Sequence, residues 1–362
     1  GRSGKAFRRR AHCDRGAGRE ALKVRSVRPS LYINNPAAAT LTERLPVPDA
    51  STPSPDAEKF ADPDWTAKGE RRANVDFRAL ETLWFNTGTL CNIECVNCYI
   101  ESSPTNDRLV YLTEADVAPY LDEIDAMGIG PVEIGFTGGE PYMNPAMNRL
   151  TEMALERGHE VLILTNAMKP MMRPQVQAGL LDLQARYGER LTLRISIDHY
   201  TAERHDEERG TGSFAATCEG VRWLAQNGFR LAAAGRSMWH EEDADARAGF
   251  AALFAELGAD IPADDRSRLM IFPEMDMAGD PPEITTACWS ILSKDPASIM
   301  CASSRMVVKR KGAGRPVVLS CTLLPYDEAF EMGETLEAAL KPVKLKHKFC
   351  AQFCVLGGAS CS

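Results

Sequence analysis

The stretch Thr82-Leu-Trp-Phe-Asn-Thr-Gly-Thr-Leu-Cys-Asn-Ile-Glu-Cys-Val-Asn-Cys-Tyr99 places a short apolar run just before three closely spaced cysteines. The run at 82–85 predicts a buried strand, and the C-x3-C-x2-C spacing of Cys91, Cys95 and Cys98 lets three thiolates reach one metal centre. A cubic four-iron cluster has four corners, so three protein thiolates leave one iron open to a ligand that is not protein. The alternative is a structural zinc site. Zinc of that kind needs four closed ligands, and no further Cys or His lies within ten residues of these three.

Downstream of this stretch, short apolar runs alternate with amphipathic segments. Strands are predicted at 82–85, 132–136, 160–165, 191–197, 229–234 and 268–272. Helices are predicted from a cap at Thr113 to Gly128, from Pro145 to Gly158, and over 174–187, 213–227 and 243–257. Strands alternating with helices predict parallel pairing with right-handed crossovers. The predicted fold is therefore α/β, a partial TIM-like (β/α)6 barrel whose functional residues follow the strands.

Polar or glycine-rich motifs follow three of these strands. Gly138-Gly-Glu-Pro141 follows the second strand, where glycine permits close backbone approach and a carboxylate accepts hydrogen bonds from an ammonium group. Thr165-Asn166 ends the third strand, and Ser196-Ile-Asp198 ends the fourth. Taken singly, each motif is also compatible with an ordinary turn or cap.

The C-terminal part holds a second group of cysteines. Six follow residue 285, at positions 288, 301, 321, 350, 354 and 361. Cysteines that hairpins and a short helix bring together can hold a second iron–sulfur cluster on four thiolates, although four thiolates suit zinc as well. Cys218, by contrast, falls on the apolar face of a predicted helix and is interpreted as a core residue.

The three cysteines, the aromatic Tyr99 and the later glycine-rich motif together resemble the radical SAM superfamily. The resemblance implies a [4Fe-4S] cluster on Cys91, Cys95 and Cys98 whose open iron is chelated by S-adenosylmethionine (SAM). It further implies reductive cleavage of SAM to a 5′-deoxyadenosyl radical that abstracts hydrogen from substrate. The residues that match the family's SAM contacts are Tyr99, Gly138, Gly139, Glu140, Thr165, Asn166 and Ser196. The segment 204–214 also looks like the family, but His199, His205 and Arg209 receive no role.

The tail resembles the Twitch and SPASM extensions of radical SAM maturases, although full SPASM domains carry more cysteines. The resemblance implies one auxiliary [4Fe-4S] cluster, with Cys301, Cys321, Cys350 and Cys354 as preferred ligands, Cys361 as a substitute and Cys288 as a structural residue. An external one-electron reductant of the flavodoxin or ferredoxin type is expected as a partner. The substrate, a peptide or a small molecule, stays open. A zinc-stabilised scaffold and a two-cluster electron-transfer protein remain the competing interpretations.

Composition bounds these hypotheses. The chain of 362 residues is 44% hydrophobic and 25% charged with a net charge of −8, and it has neither an apolar membrane span nor a secretory signal. Residues 1–75 are predicted to form a disordered basic leader and Pro-rich linker, residues 76–285 the barrel and residues 286–362 the auxiliary-cluster domain. The basic leader alone does not indicate nucleic-acid binding. Clustered cysteines favour metal ligation in a reducing compartment, which predicts the cytoplasm.

Overall fold

The computed structural model describes residues 58–276 and 278–359. The strands are β1 (Asn74–Val75), β2 (Thr82–Asn86), β3 (Glu133–Thr137), β4 (Glu160–Thr165), β5 (Leu191–Ser196), β6 (Arg230–Arg236), β7 (Leu269–Phe272), β8 (Ser304–Val308), β9 (Val317–Leu319), β10 (Glu331–Gly333) and β11 (Val343–Lys344). The α-helices are α1 (Glu114–Ala126), α2 (Met147–Glu156), α3 (Pro174–Tyr187), α4 (Ala202–Arg209), α5 (Ser213–Gln226), α6 (Asp243–Leu257), α7 (Cys288–Ile291) and α8 (Leu336–Ala339). A π-helix covers Cys350–Leu356.

One large sheet organises the barrel. Its strand order is β10-β9-β8-β2-β3-β4-β5-β6-β7, and every pair from β8 to β7 is parallel. Helices follow β2 to β6 in the chain, so the strands β2 to β7 form the expected partial TIM-like barrel. The six predicted strands are all present within two residues of their predicted limits. The α/β fold class is confirmed.

Successive side chains of β2 point to opposite faces of the sheet and pack into two different clusters. Leu83 and Phe85 belong to the large core under the helices, whereas Trp84 belongs to a separate cluster with Leu162 and Met306. Opposite Trp84 on β3 lies Gly135, where a Cβ atom would come within 2.4 Å of the indole ring. The glycine is therefore required for the tryptophan to occupy this position.

Within the barrel, five helices match the predictions and one was missed. Thr113 begins α1 as predicted, and its backbone N–H and hydroxyl both donate to Asp116 Oδ2, at 2.9 and 2.8 Å. The missed helix is α4, whose sequence Ala-Glu-Arg-His-Asp-Glu-Glu-Arg has no apolar periodicity. Helix α4 lies between β5 and α5 in the chain. It contacts the cysteine loop, which is the loop after β2 that carries Cys91, Cys95 and Cys98.

The C-terminal part continues the sheet. Strand β8 adds to β2 in parallel, and β9 and β10 follow as antiparallel strands. Strand β11 pairs with β1, which falls inside the predicted leader and linker. The sequence prediction did not foresee this packing of residues 58–75, and residues 1–57 lie outside the described part. The predicted domain boundaries after residues 75 and 285 stay predictions.

Among the residues that the structure describes, no helix combines the length and the apolar character that a bilayer crossing requires.

Candidate active site

The three predicted cluster cysteines lie in an irregular loop after β2 and line one cavity. Cys91 is buried, whereas Cys95 and Cys98 are partly exposed, and all three carry free thiols. Burial raises the pKa of Cys91 to about 12 and that of Cys95 to about 11, although Arg209 opposes the second shift. Cys91 and Cys95 are therefore protonated in the metal-free protein, and metal binding to them releases protons.

The glycine pair after β3 packs directly on the cysteine loop. The N–H groups of Gly139 and Glu140 donate to the carbonyl oxygens of Gly88 and Leu90, at 2.8 and 3.1 Å. A Cβ atom at Gly139 would lie 2.2 Å from the Leu90 oxygen, and one at Gly138 would lie 2.5 Å from the Gly88 oxygen. Both glycines line the cavity, so they let the backbone of β3 reach the cysteine loop and the cavity at once.

Glu140 lies behind this loop rather than in the cavity wall, and its side chain has local partners. One carboxylate oxygen accepts from Thr165 Oγ1 at 2.8 Å, and the other accepts from the Asn166 backbone N–H at 2.8 Å. Burial raises the pKa of Glu140 to about 7, against the opposing effect of these donors. The carboxylate thus connects the end of β3 to the end of β4.

The remaining predicted SAM contacts do line the cavity. Thr165 and Asn166 end β4, Ser196 ends β5, and Tyr99 follows the third cysteine with 39% of its surface exposed. Asn166 Nδ2 donates to Asn92 Oδ1 at 3.0 Å and lies 3.9 Å from the sulfur of Cys91. The parallel strands therefore deliver these polar side chains to the cavity that holds the cysteines.

Four charged residues line this cavity that received no role from the sequence: Asp198, Glu208, Arg209 and Arg236. Arg209, at the end of α4, donates to both carboxylate oxygens of Asp198, at 2.6 and 2.9 Å. Burial acts to raise the pKa of Asp198, but Arg209 overcomes this effect and lowers it. The sequence signal that could have identified Arg209 was the polar segment 204–214, but residues 204–212 were not assigned to any predicted helix. His199 and His205 lie behind the cavity wall, and burial lowers the pKa of His205 to about 4.

The structure brings the four preferred tail cysteines to one second cavity. Cys350 and Cys354 lie one turn apart on the π-helix, Cys301 precedes β8, and Cys321 follows β9. Burial raises the pKa of Cys301 to about 12 and that of Cys350 to about 11. The other lining residues include Leu323, Phe330, Val343, Leu345 and Phe349. A thiol-rich, apolar cavity of this kind has the donor set of an iron–sulfur or a zinc site.

The two other tail cysteines differ from these four. Cys288 Sγ lies 3.3 Å from the backbone nitrogen of Thr285 and 3.4 Å from its hydroxyl, away from the second cavity. Cys361 lies outside the described residues. In the described part of the chain, no three Cys, His, Asp or Glu side chains converge on the position of a single metal ion.

Leu323 lines both cavities. Phe353, between the two π-helix cysteines, lines the first cavity and packs on Phe272 of β7 with 5.5 Å between ring centres. One layer of apolar side chains therefore separates the two cysteine sites.

A family comparison matches this geometry. Residues 85–246 match the model of the radical SAM superfamily. The chain carries a radical SAM domain. This family implies a [4Fe-4S] cluster with SAM, and the residues present fit that group: three thiols line one cavity, and Gly138 and Gly139, which also line it, pack so closely on the cysteine loop that a Cβ atom at either would collide with its backbone.

Curated relatives match the same region. The chain is 31% identical over 158 residues to the antilisterial bacteriocin subtilosin biosynthesis protein AlbA of Bacillus subtilis, covering 42% of this chain and 33% of AlbA. It is 32% identical over 139 residues to the mycofactocin maturase MftC of Mycobacterium ulcerans, covering 38% of this chain and 35% of MftC. The alignments thus span about a third of these relatives.

Solved structures show the same fold. Streptococcus suis SuiB bound to S-adenosylmethionine superposes with a TM-score of 0.51 at 11% identity, over 70% of this chain and 63% of SuiB. Native anSMEcpe with bound AdoMet superposes with a TM-score of 0.53 at 13% identity, over 74% of this chain and 82% of that one.

Proposed function

We propose that this protein is a radical SAM enzyme in which Cys91, Cys95 and Cys98 hold the cluster that binds SAM. The observation that carries the proposal is the shared cavity, since the three thiols line it together with Thr165, Asn166 and Ser196. When bound, the cluster and SAM supply reductive cleavage to a 5′-deoxyadenosyl radical, which abstracts hydrogen from a peptide or small-molecule substrate.

The chain's own residues orient and enclose that chemistry. Gly138 and Gly139 let the chain after β3 pack on the cysteine loop beside the thiols, and Glu140 fixes Thr165 and Asn166 at the edge of the cavity. Arg209 supplies a buried positive charge to a ligand carboxylate, with Asp198 holding the guanidinium in place. The apolar wall beyond these residues excludes water from a reactive intermediate.

We further propose that Cys301, Cys321, Cys350 and Cys354 hold one auxiliary [4Fe-4S] cluster. Its support is that all four line a cavity separated from the first by Leu323. Such a cluster, held by these four cysteines, would supply electron exchange with the substrate or a binding site for it. An external one-electron reductant of the flavodoxin or ferredoxin type would supply electrons to the first cluster.

The names of the relatives support an enzyme but leave the substrate open. AlbA is named for bacteriocin biosynthesis, MftC is a maturase, and other matched relatives are named as synthases or as a cyclase. The activity, the substrate and the partners of this chain are therefore proposals.

The test is anaerobic reconstitution with iron and sulfide, followed by SAM and dithionite. We expect 5′-deoxyadenosine by liquid chromatography and mass spectrometry, and we expect Cys95→Ala to abolish it. Cys218→Ala is the matched control, because Cys218 is buried in α5 away from both cavities. A wild-type protein that binds stoichiometric zinc without iron–sulfur absorption would support a scaffold instead. Two clusters without 5′-deoxyadenosine would support an electron-transfer protein.

A further inference from the structure

Backbone hydrogen bonds hold the two ends of the cysteine loop, whereas burial of apolar side chains contributes little to its middle. At the ends, the Cys91 N–H donates to Ser103 O, and the Gly139 N–H donates to Gly88 O. Between Cys95 and Cys98 the chain forms no helix or strand, and Val96 is 75% exposed. Because apolar burial contributes little here, polar contacts must hold this part of the loop.

One residue of α4 supplies three such contacts. The Glu208 carbonyl oxygen accepts from the Val96 N–H at 2.9 Å. Its carboxylate accepts from the Asn97 backbone N–H and from Asn97 Nδ2, both at 2.8 Å, through different oxygens. Glu208 therefore binds both residues between the second and third cysteines.

Glu208 is itself held in one orientation. The residue is only 2% exposed, and Arg236, in the last position of β6, contacts its carboxylate at 2.8 Å. Arg236 also donates to the carbonyl oxygen of Asn97 at 3.3 Å, and its other nitrogen pairs with Glu274 at 2.7 Å. A buried carboxylate with charged and neutral donors on both oxygens has little freedom to turn.

We propose that Glu208 is a positioning residue for the first cluster, which it serves by holding residues 96–97 and so fixing the separation of Cys95 and Cys98. This inference rests on the proposed function in that these cysteines are taken as cluster ligands. Glu208 and the next residue, Arg209, both line the cavity. Glu208 acts through its three contacts with residues 96–97, whereas Arg209 is paired with Asp198, so α4 supports the site with two consecutive side chains.

Two variants and one control test the contacts. Glu208→Gln keeps the shape of the side chain but presents an amide N–H₂ to groups that also donate. Asn97→Leu removes one donor from the other side and leaves the Glu208–Arg236 pair intact. Glu207→Gln is the matched control, since Glu207 is the preceding residue of the same helix and, among the described residues, its carboxylate accepts one hydrogen bond, from Trp239 Nε1 at 3.4 Å.

The first measurement uses the metal-free full chain. Iodoacetamide alkylation of the cysteines is followed by mass spectrometry, with Cys350 and Cys354 as internal references. We expect Glu208→Gln and Asn97→Leu each to raise the alkylation rates of Cys95 and Cys98 by about tenfold, because loss of a charged hydrogen bond favours local opening by that factor. In the double variant, the alkylation rates should be higher than in either single variant. The combined factor should be smaller than the product of the two single-variant factors, because both substitutions break the same contact.

The second measurement uses the reconstituted protein. The reduced first cluster of Glu208→Gln should show a broadened electron paramagnetic resonance signal and a changed response to added SAM, whereas Glu207→Gln should match the wild type. Glu208→Asp should restore part of the wild-type signal, because it keeps the charge with a side chain shorter by one methylene.

Three results would overturn the proposal. One is wild-type alkylation of Cys95 and Cys98 in both variants. Another is an equal rise at Cys350 and Cys354, which would mean general destabilisation. The third is an unchanged resonance signal in Glu208→Gln. Failure of the proposed function looks different, since a protein that makes no 5′-deoxyadenosine would still show slower alkylation of Cys95 and Cys98 in the wild type than in Glu208→Gln if the contact is real.

Discussion

At the scale of single residues, Glu140 joins two motifs that lie far apart in the sequence. Its carboxylate accepts from Thr165 Oγ1 and from the Asn166 N–H, while its own backbone N–H pairs with Leu90 O. One residue thus connects the cysteine loop, the glycine pair and the end of β4. Because the Glu140 carboxylate is buried among neutral donors, its ionised form is disfavoured in free energy.

The raised pKa of Glu140 predicts a pH dependence of stability. With a folded pKa of about 7 and an ordinary value of 4.5, the unfolded chain ionises first, and ionisation favours unfolding. The contribution of Glu140 to stability is therefore fully present below pH 4.5 and is lost as the pH rises through 7. We expect the unfolding free energy of the wild type to fall by about 3 kcal/mol relative to Glu140→Gln across that window.

Urea denaturation of the metal-free protein at several pH values between 4.5 and 7.5 measures this difference. Glu160→Gln serves as the control, because Glu160 is exposed at the first position of β4. Its curve should run parallel to that of the wild type. A Glu140→Gln curve that also runs parallel would contradict the assigned burial effect.

The sequence predicted which residues gather at the first site but not how each one is used. Cys91, Thr165 and Ser196 could be placed because parallel strands end at one edge of a barrel. The orientation of Glu140 could not be predicted, because it depends on partners in another strand. Glu208 was missed for a similar reason, since its contacts join residues of the loop and of β6 that the chain order keeps apart.

At the scale of elements, the barrel was predictable because its strands and longer helices carry strong periodic patterns. Strand β4 and helix α3 were predicted with their observed limits. Helix α4 was not, because most of its side chains are charged and tertiary contacts stabilise it. The parallel pairing of β8 with β2 was also missed, since it joins segments over two hundred residues apart in the chain.

The π-helix is the element that links the two cavities. Cys350 and Cys354 line the second cavity, whereas Phe353 between them lines the first and packs on Phe272. A π-helix is rare and is often found at functional sites. Here it directs the two cysteines to one cavity and the aromatic ring to the other.

This arrangement predicts separable effects for a tail variant. Cys354→Ala should lower the iron content by about four atoms per chain, the content of one cubic cluster, while 5′-deoxyadenosine formation stays measurable and turnover of the true substrate is lost. Cys288→Ala is the control and should keep full iron, because Cys288 lies away from the second cavity. Equal loss of both activities in Cys354→Ala would show that the tail site is needed for the fold instead.

At the scale of the whole molecule, a buried ion pair joins residues 58–75 to the segment just before the tail, and a hydrogen bond joins them to the tail itself. Arg72 Nη2 lies 2.6 Å from Glu283 Oε1, with both side chains at most 5% exposed. Glu283 also accepts from the N–H groups of Phe60 and Ala67, each at 2.7 Å. Arg72 donates in addition to the carbonyl oxygen of Leu345 at 3.3 Å.

These contacts explain why the sequence did not reveal the packing of this segment. Residues 58–70, the described part of the Pro-rich linker, form no helix and no named strand, as expected of a Pro-rich segment. The segment is instead held by side chain to backbone bonds with residues more than two hundred positions away. Local patterns carry no information on such partners.

The ion pair predicts that the segment supports the second cavity, because Leu345 lines that cavity and its carbonyl is held by Arg72. Glu283→Gln leaves Arg72 buried without its counter-charge, which costs about 3 kcal/mol of unfolding free energy. Urea denaturation should show this loss, and iron at the tail site should fall while Cys91, Cys95 and Cys98 keep theirs. Asp280→Asn is the control, since the Lys59–Asp280 pair is exposed and contributes less than about 1 kcal/mol. A Glu283→Gln protein as stable as Asp280→Asn would mean that residues 58–75 do not stabilise the tail.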